Sequence, residues 1–330
     1  MHSRTIELPG HAARRKAVAR ILKQVSKIQV NQCALEELQG IAIKVLPMPL
    51  SQDEFPFCEK IFYQPLEGPL DDPSDSETYP DHEALDCTYG KYDELTPILC
   101  ARETAESFRL YLHQLSENTC APAFDHDYST DIGIWGCPLF ELEGDGFEWR
   151  AAGLGMTPGW PGFKCSLVCD VKGDEDHLAR GELMCIARTI DRMLRATNLV
   201  EYMVIPVLVF SFMGPRHGRI LHAHYDGKRL IIQKSKLFDF GNGNISAMKT
   251  FVRWWCSSAA KDVNTEDVAA EGATTEDANC EDAASEYATS ENWSSEDSAS
   301  ADSTSGYANS KDSASEYSTS AGSNMEKKAA

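Results

Sequence analysis

The sequence predicts an α/β (α+β) domain, a small mixed sheet flanked by helices, with a disordered tail behind it. Three observations carry this. From Pro97 onward, segments of helical period alternate with β-rich runs in the order helix, strand, strand, strand, helix, strand, hairpin. The run Met203–Phe212 is apolar almost throughout, as a strand covered on both faces requires. Third, the composition changes at Ser257. From there to Ala330 sixteen acidic residues face four basic ones, a net of −12 out of the −20 carried by all 330 residues. The preceding 256 residues therefore carry only −8.

The elements follow in order. His11 to Lys27 is basic and free of acids, with Val18, Leu22 and Val25 at helical spacing and Ile21 and Ile28 beside them. It fits a nuclear signal, a mitochondrial presequence, a phosphate-facing helix or simply a solvated basic face. From Lys44 to about Pro97, Pro47, Pro49, Pro56, Pro65, Pro69, Pro73 and Pro80 punctuate a stretch with an acidic middle. Proline removes a donor and restricts its predecessor, so an irregular region is expected. Phe108, Tyr111, Leu112 and Leu115 predict a helix of about four turns, with Glu103 and Glu106 in its early part.

Ile132–Phe140 reads as a strand, Glu143–Gly146 as a tight turn and Phe147–Leu154 as the return strand. The glycine-rich stretch after it lacks the G-K-[ST] of a phosphate loop. Lys164–Lys172 is the third strand. Asp174 and Asp176 are candidate caps for a helix over about 178–196, whose buried stripe is Leu183, Ile186, Ile190 and Met193 or Leu194. Pro206 sits awkwardly in the apolar strand that follows, because it cannot donate to a ladder. Arg219–Tyr225 and Lys228–Lys234 flank Asp226-Gly227, the favoured pair of a type I′ hairpin turn. Leu237–Cys256 closes the core. The organisation expected is 1–96, a basic helix plus irregular region; 97–256, the core; and 257–330, an acidic tail with a ten-residue repeat marked by Tyr287, Tyr307 and Tyr317. The tail suits a phosphorylatable or partner-binding segment, or one that adds solubility.

The eleven cysteines contain no C-x-x-C pair. Cys165 and Cys169, four apart, are a poor zinc pattern, and reduced thiols of a cytoplasmic or nuclear protein are expected rather than a secreted disulfide framework. No apolar run is long enough to span a membrane. His222 and His224, with His217 close by, share one face of a strand and are candidate metal ligands only if other strands supply more. Arg216, His217, Arg219, Lys228, Arg229, Lys234 and Lys236 form a locally basic set. Of these, Arg216, Arg219, Lys228 and Arg229 are candidate contacts to nucleic acid. A protein partner is equally compatible with the composition.

On the third strand, alternation places Ser166, Val168, Asp170 and Lys172 on one face and Cys165, Leu167 and Cys169 on the other. The element order, the Asp170-x-Lys172 pair at a strand end and the following helix with Glu182 make residues 100–235 resemble the PD-(D/E)xK nuclease-like superfamily. The resemblance implies that Asp170 binds a divalent metal, Mg2+ or Mn2+, that Lys172 positions or activates water, and that a second acid completes the site. Glu148 is the first choice for that acid, Asp145 the next and Asp131 a distant third. No Pro-Asp dipeptide precedes the strand pair. The superfamily also contains inactive members. The phrases at 144–150, 155–161 and 212–220 additionally resemble proteins of filamentous fungi, a likeness that carries no activity. The expectation is a non-catalytic interaction or accessory module on a nuclease-like fold. Metal-dependent phosphodiester hydrolysis by Asp170, Lys172 and Glu148 is the second reading.

Overall fold

In the computed structural model the apolar run becomes the centre of a mixed, eight-stranded sheet. The structure describes residues 9–51, 60–72, 96–118, 133–134, 137–143, 146–156, 160–241 and 244–260. Their elements are α1 (Pro9–Val25), β1 (Gln32–Ala34), a 3-10 turn (Glu37–Ile41), β2 (Ile43–Pro47), β3 (Tyr63–Gln64), α2 (Pro97–Asn118), β4 (Gly133–Ile134), β5 (Cys137–Pro138), β6 (Phe140–Glu143), β7 (Gly146–Met156), β8 (Phe163–Lys172), β9 (His177–Ala179), α3 (Arg180–Met193), β10 (Val207–Gly214), β11 (His217–Tyr225), β12 (Leu230–Lys234), β13 (Phe238–Asp239), α4 (Ile245–Trp255) and β14 (Ser258–Ala259). The main sheet runs β2-β12-β11-β10-β8-β7-β6, with β13 beside β11. β10 is parallel to β8 and β2 parallel to β12, while the other neighbours are antiparallel.

Alternation along β10 explains why the sheet has a helical layer on each face. Val207, Val209 and Met213 face a core with Val18, Ile21 and Val25 of α1 and Leu183, Ile186 and Ile190 of α3. Leu208, Phe210 and Phe212 face a second core with Phe108, Tyr111, Leu112 and Leu115 of α2 and Phe251, Val252, Trp254 and Trp255 of α4. All eight residues of β10 are buried, which is why its sequence has no polar face. In the second core Phe108 lies 5.6 Å from Phe210, 5.5 Å from Phe212 and 5.7 Å from Trp255, ring to ring. Such aromatic pairs add roughly 0.5–1.5 kcal/mol each beyond area burial. Pro206 precedes β10 rather than interrupting it, and its carbonyl accepts the Phe163 N–H at 3.0 Å.

Several expectations are corrected. The α2 helix runs from 97 to 118, longer than the periodic residues alone indicated. Ile132–Phe140 is not one strand: its described parts form the short β4–β5 pair, and only Phe140 enters the main sheet. Asp174 and Asp176 do not cap α3. Residues 177–179 instead form β9 against β1, and the helix begins at Arg180. Asp174 Oδ1 accepts the Asp176 N–H at 2.7 Å, closing a local turn. The Asp226-Gly227 hairpin exists, but its loop has four residues, since Tyr225 pairs with Leu230. Asp226 Oδ1 accepts the N–H groups of Lys228 and Arg229, each at 2.6 Å, and only Gly227 takes a positive φ, +104°. The sheet also crosses residue 96, because β2 pairs with β12 and α1 covers the same core as α3. The tail from 261 and most of the proline-rich region lie outside the described residues.

Gly181, in the first turn of α3, allows the helix to approach β7 closely. A Cβ there would stand 2.5 Å from Trp149 Cβ, a backbone-anchored atom with little freedom to yield. Gly181→Ala is therefore expected to destabilise the fold by about 1–3 kcal/mol through overpacking, despite alanine's better helix propensity. Urea denaturation checks this, and a neutral result would show that α3 can slide on β7.

Candidate functional site

The C-terminal end of β8 carries Asp170 and Lys172. Asp170 faces the α2 layer, where its Oδ1 accepts the Ile98 N–H at 2.9 Å. The first turn of a helix leaves N–H groups without intrahelical acceptors, and Pro97 contributes none, so Asp170 acts as a remote cap of α2. Lys172 is exposed at the strand end, and its carbonyl accepts Gln32 Nε2 at 2.8 Å. Glu148 serves the other helical layer. Its Oε2 pairs with Arg180 Nη1 at 2.8 Å, at the start of α3, while its buried Oε1 has no hydrogen-bond partner among the described residues. Arg180 also pairs with Glu141, which in turn pairs with Arg188 and accepts Trp149 Nε1 at 3.2 Å. Asp145 and Asp131 lie outside the described residues. Among the described residues no group of three or more His, Cys, Asp or Glu side chains is disposed to hold a metal ion.

Glu182 and Arg219 form a fully buried ion pair across α3 and β11. Arg219 Nε and Nη2 donate to Glu182 Oε1 and Oε2 at 2.8 and 2.7 Å, and both side chains have zero exposure. Glu182 Oε2 also accepts the Ala179 N–H at 2.7 Å, the acidic half of a capping box, and Arg219 Nη1 donates to the Asp174 carbonyl at 2.9 Å. Arg219 is therefore unavailable to a phosphate. Lys234 pairs with Glu175 at 2.9 Å, and Arg216 lies at the opposite end of β11 from Lys228 and Arg229. The basic hairpin set expected from the sequence is thus not one patch.

A second polar cluster is buried under α4 and β3. Lys164, Leu208, His222 and Gln233 stand side by side on β8, β10, β11 and β12. Lys164 Nζ donates to the carbonyls of Trp255 and Ser257 at 2.5 and 2.7 Å, where α4 ends and acceptors are in surplus. Burial lowers its pKa to about 8. Tyr63 donates to Phe163 and Pro206 carbonyls at 3.0 and 3.1 Å, and its ring lies 5.8 Å from that of His222. His222 Nδ1 meets Gln233 Oε1 at 2.5 Å, and Phe62 lies against His224 at 4.9 Å. Burial, helped by the neighbouring imidazole, lowers the His222 pKa to about 3, and burial lowers that of His224 to about 4. Both are neutral packing residues. His217 lies elsewhere, half-buried at the start of β11.

The thiols beneath α3 behave as core residues. Cys185 Sγ lies 3.7 Å from Cys165 Sγ, a contact between thiols and not a disulfide. The Cys165 thiol is pushed well up by its contact with Cys185 and by burial, and that of Cys169 chiefly by burial. Metal-binding cysteines need the opposite shift. Sequence reasoning missed the Lys164 row, whose traces are single polar residues, Lys164, His222 and Gln233, each beside an apolar residue of β8, β11 or β12. It also missed the role of Glu182, which is three residues after the Ala179 cap and so stands in capping-box register.

No family model matches the chain, and no curated protein or solved structure is significantly similar to it.

Proposed function

We propose that the protein is a non-catalytic interaction or accessory module built on a nuclease-like arrangement of elements. The observation that carries this reading is the Asp170 carboxylate bonded to the Ile98 N–H, which gives the acid of the Asp-x-Lys pair a structural task. Glu148, the acid chosen to complete a metal site, is paired with Arg180 and belongs to the other helical layer. The described residues therefore do not supply the converging oxygen donors that Mg2+ or Mn2+ requires. The order α2, β6, β7, β8, α3, β10, with β10 parallel to β8, supports the nuclease-like part of the reading. Among the described residues no disulfide joins Cys33, Cys165, Cys169, Cys185 or Cys256, which supports a reducing, cytoplasmic or nuclear setting. Among the described residues, no helix is long and apolar enough to cross a membrane.

The second reading, metal-dependent phosphodiester hydrolysis, rests on Glu148 Oε1, which has no partner among the described residues, and on the exposed Lys172. One experiment separates the two. Full-length protein is assayed on single- and double-stranded DNA and RNA with Mg2+ or Mn2+, beside Asp170→Ala and Lys172→Ala. The non-catalytic reading expects no cleavage above background in any of the three. It expects Asp170→Ala to lose about 0.5–2 kcal/mol of stability in urea, the usual cost of a lost helix cap, with Lys172→Ala close to neutral. Cleavage by wild type that disappears in both variants would replace it with the hydrolase.

A further inference from the structure

Two basic segments about two hundred positions apart in the sequence meet in the fold. In α1, Lys16, Arg20 and Lys23 are exposed and recur at spacings of four and three residues, which keeps them on one face. Lys27 continues the line in the following turn, where its N–H bonds Gln24 O at 3.1 Å. The opposite face of the helix, Arg14, Val18, Ile21 and Val25, is buried. Arg14 fastens the β11–β12 loop to the helix. Its Nη1 donates to Tyr225 O at 3.0 Å, and a Cβ on Gly227 would stand 3.2 Å from its Nη2. Lys228 and Arg229, both exposed, are thereby held beside α1, and Arg20 bears electrostatically on Tyr225 from the helix side. No acid occurs in α1, and the one acid of the loop, Asp226, has an oxygen bonded to the loop's own N–H groups.

We propose that the helix face Lys16, Arg20, Lys23 and Lys27, flanked by Lys228 and Arg229 of the adjoining loop, docks the phosphate backbone of a nucleic acid. The inference rests on the reading of the protein as a binding module and supplies its partner and surface. A helix at a folded surface normally mixes charge signs, which aids solubility without creating a one-sign field. Here a protein of net charge −20 places a line of cations on one helix and packs beside that helix a loop with two more, from a distant part of the chain. The line is about 16 Å long at 1.5 Å per residue, enough to face several phosphates of a duplex that carries one charge per about 1.7 Å. An anionic membrane is the poorer fit. Interfacial helices bury an apolar face in lipid, whereas Val18, Ile21 and Val25 of α1 are already buried in the core beside α3. The contacts are of the backbone kind, so they favour affinity over sequence discrimination.

Fluorescence anisotropy of the full-length chain with a labelled duplex of about 20 base pairs, and a matching single strand, tests the proposal across about 50–200 mM salt. Engagement of four to six phosphates predicts a log–log salt slope of about −4 to −5. Lys16→Glu/Arg20→Glu/Lys23→Glu/Lys27→Glu should weaken binding by at least about tenfold, and the corresponding glutamine variant should flatten the slope by about 3.6. Lys228→Glu/Arg229→Glu should weaken it by a smaller factor. All these positions are exposed, so circular dichroism should show every variant folded. Asp170→Ala should bind as wild type does. No binding at about 50 mM salt, or equal binding by the helix variants, overturns the proposal. So does capture by phosphatidylserine vesicles, but not duplex, that the same variants abolish. Metal-dependent cleavage of the probe lost in Asp170→Ala would instead overturn the non-catalytic reading and leave this surface standing.

Discussion

Glu182→Ala is expected to cost about 3–5 kcal/mol of folding stability, well beyond the loss of the Asp170 cap. Glu182 and Arg219 are both completely buried, and their two hydrogen bonds at 2.7 and 2.8 Å hold the guanidinium against the carboxylate edge to edge. With the carboxylate gone, the guanidinium stays in the core with the Asp174 carbonyl as its remaining hydrogen-bonded oxygen. A guanidinium carries five N–H donors and no acceptor, so the buried side chain cannot satisfy itself. The Ala179 N–H at the start of α3 loses its acceptor too. Against a usual domain stability of about 5–15 kcal/mol, such a loss is a large share of the total. Glu182→Gln keeps an acceptor for Ala179 but removes the charge, and its cost should fall between wild type and alanine. The informative partner is Glu182→Leu/Arg219→Met. Removing both charges removes the uncompensated one, and the double variant should recover most of the stability lost by Glu182→Leu alone. Urea titration of the four members of that cycle measures the coupling. If Glu182→Ala lost less than about 1 kcal/mol, water would have to reach the pair, which is incompatible with its burial.

What was legible in the sequence divides along physical lines. Elements whose burial pattern is local were readable. The stripe Leu183, Ile186, Ile190 and Met193 is buried as its 3.6-residue period required, and the apolar run of β10 is covered on both faces. Elements that exist only because a distant strand accepts them were not. β2 is five residues in a proline-punctuated stretch, and its partner β12 lies almost two hundred positions away. Its β-branched Ile43 and Val45 were the available signal. The start of α3 escapes a sequence reading because a local Asx turn at Asp174 resembles a cap, whereas the pairing of β9 with β1 decides where the helix begins. At the candidate site, alternation correctly separated Asp170 from Cys169, since the two sides of β8 meet different cores. That Asp170 reaches the start of a helix seventy residues earlier, and that Arg219 turns inward to Glu182, depends on packing between layers. A charge count over a hairpin cannot distinguish an inward arginine from an outward one.

Stability should fall with acid before most carboxylates titrate, and His222 and His224 supply the reason. An unfolded histidine titrates near 6.5, whereas burial holds these two at about 3 and about 4. Between those limits the unfolded chain binds protons that the folded chain refuses. Unfolding therefore takes up protons, and its free energy decreases as pH falls through about 6.5. Above that pH neither state holds the protons and the pair contributes no slope. Each histidine contributes up to about 1.4 kcal/mol per pH unit inside the window, so the two together are worth several kcal/mol by the pH at which they are forced to charge. The surroundings set the sign firmly. His222 meets Gln233, Tyr63 and Phe62, none of them anionic at these pH values, and the imidazole of His224 opposes its protonation. For His224, Asp226 favours the proton, while Lys60, Arg14 and above all burial oppose it. The test is the slope of unfolding free energy against pH between about 5 and 6.5 for wild type and for His222→Leu/His224→Leu. The double variant should lose most of the histidine slope whatever its absolute stability. A parallel pair of curves would mean that the two rings are solvated in the folded protein, and the buried row Lys164, His222 and Gln233 would have to be abandoned with them.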